Sequence, residues 1–191
     1  MAELFLEIND TQRRVPSSLR WDLVRLVRPQ GNENDVMASE LVFELVNRED
    51  SPFYISIDLT GEQKDLSIKQ GSLAPEIRSL ISKTRKIRNI EFEDYAGLLI
   101  RFFSAVRSLD PKGWGDTGST YYKARVLRAL IRILTDLTMN AKQISDLTTP
   151  YFFKELKKID PLTLSEARVR AAQGAAGVTD LYQEIKQQVL P

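Results

Sequence analysis

The sequence predicts a mainly α-helical protein, a multi-helix orthogonal bundle with one small β-hairpin at about residues 53–69. The main observation is an apolar stripe over residues 95–109 with the spacing of an α-helix. Other segments repeat this spacing and end at turns that contain Pro or Gly, which predicts eight or nine helices in all. The 191 residues are 42% hydrophobic and 28% charged, enough for one domain with a substantial core. We therefore expect residues 1–191 to fold as a single helical domain.

The N-terminal segment is predicted to contain two helices joined by a polar turn. The first covers residues 2–8, and the second begins at Ser17 or Ser18, either of which is a candidate N-cap. The second helix ends before Pro29, because proline disfavours helical backbone in the residue that precedes it. Its expected buried stripe is Leu19, Leu23 and Leu26, with Trp21 or Val27.

A third helix is predicted to end near Asn47, and the segment after it alternates between apolar and polar residues. Phe53, Ile55, Ile57 and Leu59 share one face of this predicted strand. Residues 66–68 alternate more weakly and are expected to return as the second strand. A hairpin of this size needs a helix to pack against.

The rest of the chain is predicted to be helical. Residues 72–82 form a helix with Pro75 in its first turn, and Ser119 or Thr120 caps a long helix that reaches about Thr138. The stripe of residues 95–109 consists of Tyr95, Leu98, Leu99, Phe102, Phe103, Val106 and Leu109, and we expect it to lie at the centre of the core. Further helices are expected at residues 142–148, 149–158, 165–172 and 179–190.

The residue types that are missing exclude several classes of function. The chain contains neither histidine nor cysteine, which removes Ser-His-Asp triads, the usual zinc sites and any disulfide framework. No pair of acids lies in an apolar context that would tune it for acid–base chemistry. We therefore expect a non-catalytic protein without a metal or cofactor. No apolar run approaches the roughly 20 residues of a membrane span. Because cysteine is absent, we expect a cytoplasmic, bacterial-type protein.

The charges are unevenly distributed although the net charge is only +1. Residues 33–65 contain nine acids and two bases, whereas residues 83–132 contain eleven bases and five acids. Such asymmetry favours an anionic partner on one face, where phosphate contacts would give affinity without sequence readout. The alternative for each basic cluster is a solvated face with local ion pairs. The candidate phosphate contacts in this region are Lys83, Arg85, Lys86 and Arg88, and Lys123, Arg125, Arg128 and Arg132.

A glycine-rich segment, Gly113 to Gly118, matches the pattern G-x-G-x-x-G. A dinucleotide fingerprint requires a strand before this pattern, and here a predicted helix precedes it. One interpretation is a connection between two helices that Trp114 anchors. The other is an anion site at the N-terminus of the next helix, beside Lys112 and Lys123.

Residues 5–23 resemble the segment that follows the ParB-like core in DGQHR-domain proteins. The family pattern apolar-x-x-I-N-x-x-Q-(K/R)-x-V-x-x-S-L-x-x-D-L matches Phe5, Ile8, Asn9, Gln12, Arg13, Val15, Ser18, Leu19, Asp22 and Leu23. Looser matches are Ile68, Gly71, Ser72 and Leu73, the run from Tyr95 to Phe103, and Trp114. The Asp-Gly-Gln-His-Arg signature itself is absent. The chain therefore resembles the C-terminal part of such a protein.

This resemblance implies a DNA-associated role, because the family includes DndB-type regulators linked to DNA phosphorothioate modification and proteins of phage-defence islands. We expect a regulatory or scaffold module, with Arg13 and Arg14 as further phosphate contacts. Asn9 and Gln12 would either cap backbone groups or contact the missing ParB-like core. The alternatives are a helical module that docks onto a DNA-modifying protein, and a nucleotide-binding protein that uses residues 113–118. The expected partners are therefore DNA, the ParB-like core or a DNA-modification protein, and no membrane.

Overall fold

In a computed structural model, described for residues 16–63 and 65–190, the chain forms eight α-helices and one two-stranded sheet. The elements are α1 (Ser17–Val27), α2 (Glu33–Asn47), β1 (Ile57–Asp58), β2 (Ile68–Lys69), α3 (Gln70–Arg88), α4 (Phe92–Leu109), α5 (Ala124–Asn140), α6 (Thr149–Leu156), α7 (Glu166–Ala171) and α8 (Gly174–Val189). The predicted mainly α-helical fold is confirmed. The helix expected at residues 2–8 lies outside the described residues.

Helix α3 is the element on which the packing converges. It packs against α1, α2 and α5, and α5 in turn packs against α8. Helix α4 packs against α2 and α6 and so closes the other part of the bundle. Buried apolar side chains from α2 through α8 form one continuous cluster, and Leu73, Ile77 and Leu80 of α3 are completely buried within it. Burial of apolar area on this scale is the main stabilising contribution to such a fold.

The apolar stripe of α4 is buried as its spacing predicts. Its completely buried members are Tyr95, Leu98, Leu99, Phe102, Phe103 and Val106. The Tyr95 hydroxyl lies 2.7 Å from the Thr84 hydroxyl, so this buried polar group has a hydrogen-bond partner. The helix begins with a capping box of Glu91 and Asp94, which satisfies backbone N–H groups at the N-terminus.

The two strands run parallel, so the prediction of a β-hairpin is wrong. Ile57 pairs with Ile68 and Asp58 pairs with Lys69. The buried Asp58 carboxylate accepts hydrogen bonds from the N–H groups of Gly61 at 2.7 Å and Gln63 at 3.1 Å. These bonds form a tight turn directly after β1. The chain then continues to β2.

The segment before β1 is a turn, although its alternation predicts a strand. Ile55 has a φ of +53° and a side chain that is 66% exposed, so it does not share a buried face with Phe53 and Ile57. A β-branched residue is strained at positive φ. The turn is held from both sides, because Trp114 Nε1 donates to the carbonyl of Pro52 at 2.8 Å and the Tyr122 hydroxyl donates to that of Ser56 at 3.2 Å.

Helix α1 begins without a side-chain cap, so the predicted capping by Ser17 or Ser18 is wrong. The Ser18 hydroxyl instead accepts a hydrogen bond of 3.1 Å from the N–H of Gly71, in the first turn of α3. It thereby satisfies one of the donors that a helix leaves unpaired at its own N-terminus. The predicted stripe of α1 is only half-buried, and Leu26 is 62% exposed. In its first half, α1 is held by hydrogen bonds at the Ser18 hydroxyl and the Trp21 carbonyl.

Several other helix boundaries differ from those predicted. Helix α3 begins at Gln70 and continues to Arg88, which places Pro75 beyond its first turn. Helix α5 begins only at Ala124, because the Ser119 hydroxyl is bound to Asp110 at 2.5 Å and caps no helix. The helix expected at residues 142–148 is reduced to a 3-10 turn at Ile144–Asp146.

Helices α7 and α8 approach each other closely at Gly177. A Cβ atom at this position would lie 2.3 Å from the carbonyl carbon of Ala172, far inside contact distance. Only glycine permits this approach. Helix α8 consequently begins at Gly174, earlier than the predicted start at residue 179, and the glycines belong to its first turn.

Replacing Gly177 with alanine should lower the free energy of unfolding by about 1–3 kcal/mol, because the backbone of Ala172 must move to admit the methyl group. The matched control is Gly97→Ala in α4, where the nearest atom is Nη1 of Arg101 at 3.0 Å, a side-chain end that stays bound to the Leu147 carbonyl through Nε and need shift only by a few tenths of an ångström. That change should be neutral or stabilise the helix by up to about 1 kcal/mol. Urea unfolding of the two variants measures the difference, and equal effects would contradict the close-approach argument.

Candidate functional site

The predicted basic stripe of α5 lies against neighbouring helices. Arg125 Nη1 donates to the carbonyls of Val169 at 2.9 Å and Arg170 at 3.2 Å, at the end of α7. Carbonyls at a helix C-terminus lack partners within their own helix and favour a cation there. Arg125 therefore links α5 to the end of α7. It does so through the guanidinium that was predicted to contact phosphate.

Arg128 and Arg132 share one buried carboxylate, that of Glu76 on α3. Arg132 Nε and Nη2 donate to the two Glu76 oxygens, each at 2.9 Å, and Arg128 Nη2 lies 3.1 Å from Oε1. Arg132 Nη1 also donates to the Thr179 hydroxyl of α8 at 3.0 Å. The hydrogen bonds to Glu76 raise the pKa of Arg132 above its ordinary value, against an opposing effect of burial. This network leaves few guanidinium donors for an external phosphate.

Two further candidate cations are also engaged within the chain. Arg88 donates to the carbonyl of Met139 at the end of α5, and Lys123 donates to the carbonyl of Thr117. By contrast, Lys83, Arg85 and Lys86 are exposed and make no hydrogen bond or ion pair with the described residues. The remaining candidates, Asn9, Gln12, Arg13 and Arg14, lie outside the described residues.

Backbone N–H groups of the glycine-rich loop are already bound to carboxylates beside or within the loop. Asp110 accepts a hydrogen bond from the Gly113 N–H at 3.1 Å, and Asp116 accepts one from the Gly118 N–H at 2.8 Å. A phosphate would need these same N–H groups and would be repelled by both carboxylates. Trp114 packs against Phe53 with ring centroids 5.4 Å apart. The geometry favours the interpretation of an anchored helix connection over that of a nucleotide site.

A groove of about 500 Å³ opens between α1, α2 and the first turn of α4. Its apolar part consists of Leu26, Phe43 and Phe92, and its charged part of Arg25, Arg28, Glu40 and Glu44. Leu26 is 62% exposed and Phe43 is 37% exposed, while Phe92 is half-buried. Three elements that are distant in sequence thus present adjoining apolar side chains to solvent.

The polar rim of the groove is held by contacts within the chain. The Arg25 guanidinium lies over the Phe43 ring, 4.1 Å from its centroid, and Nη2 contacts Asp22 at 2.7 Å. Arg28 forms an ion pair with Glu40 across the end of α1. Cation–π stacking and ion pairing limit the rotamers of these side chains. The rim is therefore partly ordered before any ligand arrives.

This groove is not predicted by the sequence. Leu26 belongs to the predicted buried stripe of α1, and no predicted site contains Phe43. A signal was present, because Phe43 lies between Glu40 and Glu44 on the charged face of an amphipathic helix, where a large aromatic residue has no core to enter.

Comparison with protein-family models, curated proteins and solved structures gives no match for this chain. Within residues 16–63 and 65–190, no helix has the length and apolarity to cross a membrane, and no group of acidic side chains is arranged to hold a metal ion. A role for the groove, or for the exposed cations at the end of α3, therefore rests on their geometry and not on a relative.

The Glu76–Arg132 contact should be detectable as an energetic coupling. Glu76→Gln and Arg132→Gln should each lower the free energy of unfolding by about 2–4 kcal/mol, because each leaves a partner with unsatisfied charge in a mostly buried site. The double variant should cost less than the sum, with a coupling of about 1–3 kcal/mol. Chemical denaturation of the four proteins measures it.

The control for this cycle is Glu166→Gln on α7, whose ion pair with Arg170 has side chains 68% and 79% exposed. That variant should stay within about 0.5 kcal/mol of the parent. Strictly additive effects at Glu76 and Arg132 would show that the two residues act independently.

Proposed function

We propose that this chain is a non-catalytic helical module that docks a partner protein in the groove between α1, α2 and α4. The observation that carries the proposal is the exposure of Leu26 and Phe43 beside Phe92 in one concave site. Contiguous exposed apolar surface is costly in water, and a polar rim around it is typical of an interaction site.

The composition of the groove also suits protein recognition. Arg and aromatic residues are enriched among the side chains that contribute most to protein–protein affinity, and Arg25 lies stacked on Phe43 here. Apolar anchors of an incoming helix would fill such a site.

The DGQHR resemblance suggests the setting in which this docking takes place. Its members are associated with DNA modification and phage defence, so we propose a regulatory or scaffold role in such a system. The docked partner is then a DNA-modifying protein or the ParB-like core of the family. This part of the proposal depends on the resemblance of residues 5–23 and not on the groove.

Selection from a displayed library of helical peptides of about 16 residues tests the docking function. The parent chain should enrich peptides that bind it, and Leu26→Ser with Phe43→Ser should weaken the binding of the enriched peptides at least tenfold, because the apolar anchors lose their contacts. Fluorescence anisotropy measures the dissociation constants, and circular dichroism checks that the variants are folded.

The matched control is Leu162→Ser, since Leu162 is an equally apolar side chain that is 75% exposed and lies outside the groove. That variant should bind the enriched peptides as the parent does. If no enriched peptide depends on Leu26 and Phe43, or if Leu162→Ser weakens binding equally, docking in this groove is rejected.

A second candidate function is direct association with DNA through the end of α3. The observation in its favour is that Lys83, Arg85 and Lys86 spread over the exposed arc of the last two turns and remain unpaired within the described residues. Exposed cations of this kind bind phosphates without reading base sequence. The stripe of Arg125, Arg128 and Arg132 contributes less to this proposal, because its donors are engaged within the chain.

Reversing the charge of Lys83, Arg85 and Lys86 to Glu should abolish any DNA binding at 50 mM salt, since three phosphate contacts are replaced by repulsion. Binding by the parent should weaken as salt rises. Electrophoretic mobility shifts on duplexes of unrelated sequence measure both effects. A reversal of Lys154, Lys157 and Lys158, in and just after the C-terminal part of α6, which changes the net charge by the same amount, controls for net charge. If the two reversals weaken DNA binding equally, the end of α3 is not the DNA contact.

A further inference from the structure

Two of the three walls of the groove are acidic. Helix α2 contributes Glu40 and Glu44 to the lining, and Glu91, Glu93 and Asp94 lie beside Phe92 at the start of α4. The segment just after α2 adds two more acids, Glu49 and Asp50, and a single base, Arg48. The third wall, α1, carries the bases of the site. The field over the α2 and α4 walls is therefore negative and attracts a cationic partner.

The bases near the groove already have acidic partners within the chain. Arg25 contacts Asp22, and Arg28 contacts Glu40. Arg48 contacts Asp50 at 2.9 Å and lies 3.9 Å from Glu44. The ion pair of Arg48 with Glu44 is therefore the weaker of the two. These pairs leave little positive charge for an external anion.

The acids of the α2 and α4 walls are less fully matched. Glu93 is exposed and makes no ion pair within the described part of the chain, and its charge, after the hydrogen bond to Asp50 and the charges of Asp50 and Glu44, adds to the rise in the pKa of Arg48. Its neighbours Glu91 and Asp94 are held by the capping box, which fixes the first turn of α4 and so the position of Glu93. Glu44 has only the long contact to Arg48. Glu44 and Glu93 are thus the carboxylates available to an incoming cation.

We propose that the occupant of the groove is a basic amphipathic helix, an inference that rests on the docking function proposed above. Its apolar residues, spaced at i, i+3 or i+4, contact Leu26, Phe43 and Phe92. Its Lys and Arg residues flank this stripe on the side that faces Glu44 and Glu93.

Charge reversal on both partners tests the proposal with the peptides enriched from a library of unbiased charge. The enriched sequences should carry Lys or Arg beside the apolar stripe. The protein variant Glu44→Lys/Glu93→Lys should bind these peptides about tenfold more weakly at 50 mM salt, with a smaller loss at 500 mM because salt screens exposed charges. The same variant should bind peptides in which Lys and Arg are replaced by Glu more tightly than the parent does.

The control is Glu166→Lys, an acid-to-base change on α7 away from the groove, which should leave both affinities unchanged. Enriched peptides that are acidic or neutral, yet depend on Leu26 and Phe43, would overturn the basic occupant and leave the docking function standing. If no groove-dependent peptide is enriched, both the basic occupant and the docking function are rejected. If instead the protein dimerises in light scattering and Leu26→Ser abolishes the dimer, the occupant is a second copy and the proposal fails.

Discussion

The carboxylate of Glu76 is the contact on which the arrangement of the bundle depends. It lies on α3, the helix against which α1, α2 and α5 pack, and it is met by two guanidinium groups from α5. Arg132 extends the same network to Thr179 on α8. A buried carboxylate is tolerated only when its charge and hydrogen bonds are satisfied, so this network selects one register of α3 against α5. The register in turn sets where both ends of α3 lie, including the end that carries the exposed cations.

Periodicity in the sequence predicted the buried face of α4, but not the exposure of Leu26 on α1 or the partners of polar side chains. The stripe of α4 was correctly predicted because apolar spacing reports burial directly. The stripe of Arg125, Arg128 and Arg132 obeys the same spacing. The acid that pairs with Arg128 and Arg132, Glu76, lies some fifty residues earlier in the chain, where a local pattern cannot reveal it. The hairpin was wrong for a related reason, since alternation over Phe53 to Leu59 could not reveal that Asp58 would bind the backbone after it.

The groove was beyond prediction because no single segment contains it. Leu26, Phe43 and Phe92 belong to three helices, and they adjoin only once α1 and α2 have packed and α4 has begun. A residue-level clue was available in Phe43, an aromatic side chain on a charged helix face. Even so, a local clue predicts only an exposed apolar residue. The concavity and the acidic walls around it come from tertiary packing.

The hydrogen bond from the Gly71 N–H to Ser18 couples the groove to the centre of the bundle. The first turn of α3 keeps this acceptor only while α1 is in place, and α1 is also one wall of the groove. Local unfolding that detaches α1 therefore leaves the Gly71 N–H without this acceptor. Any ligand that holds α1 down slows amide exchange at Gly71, a backbone site that it never touches.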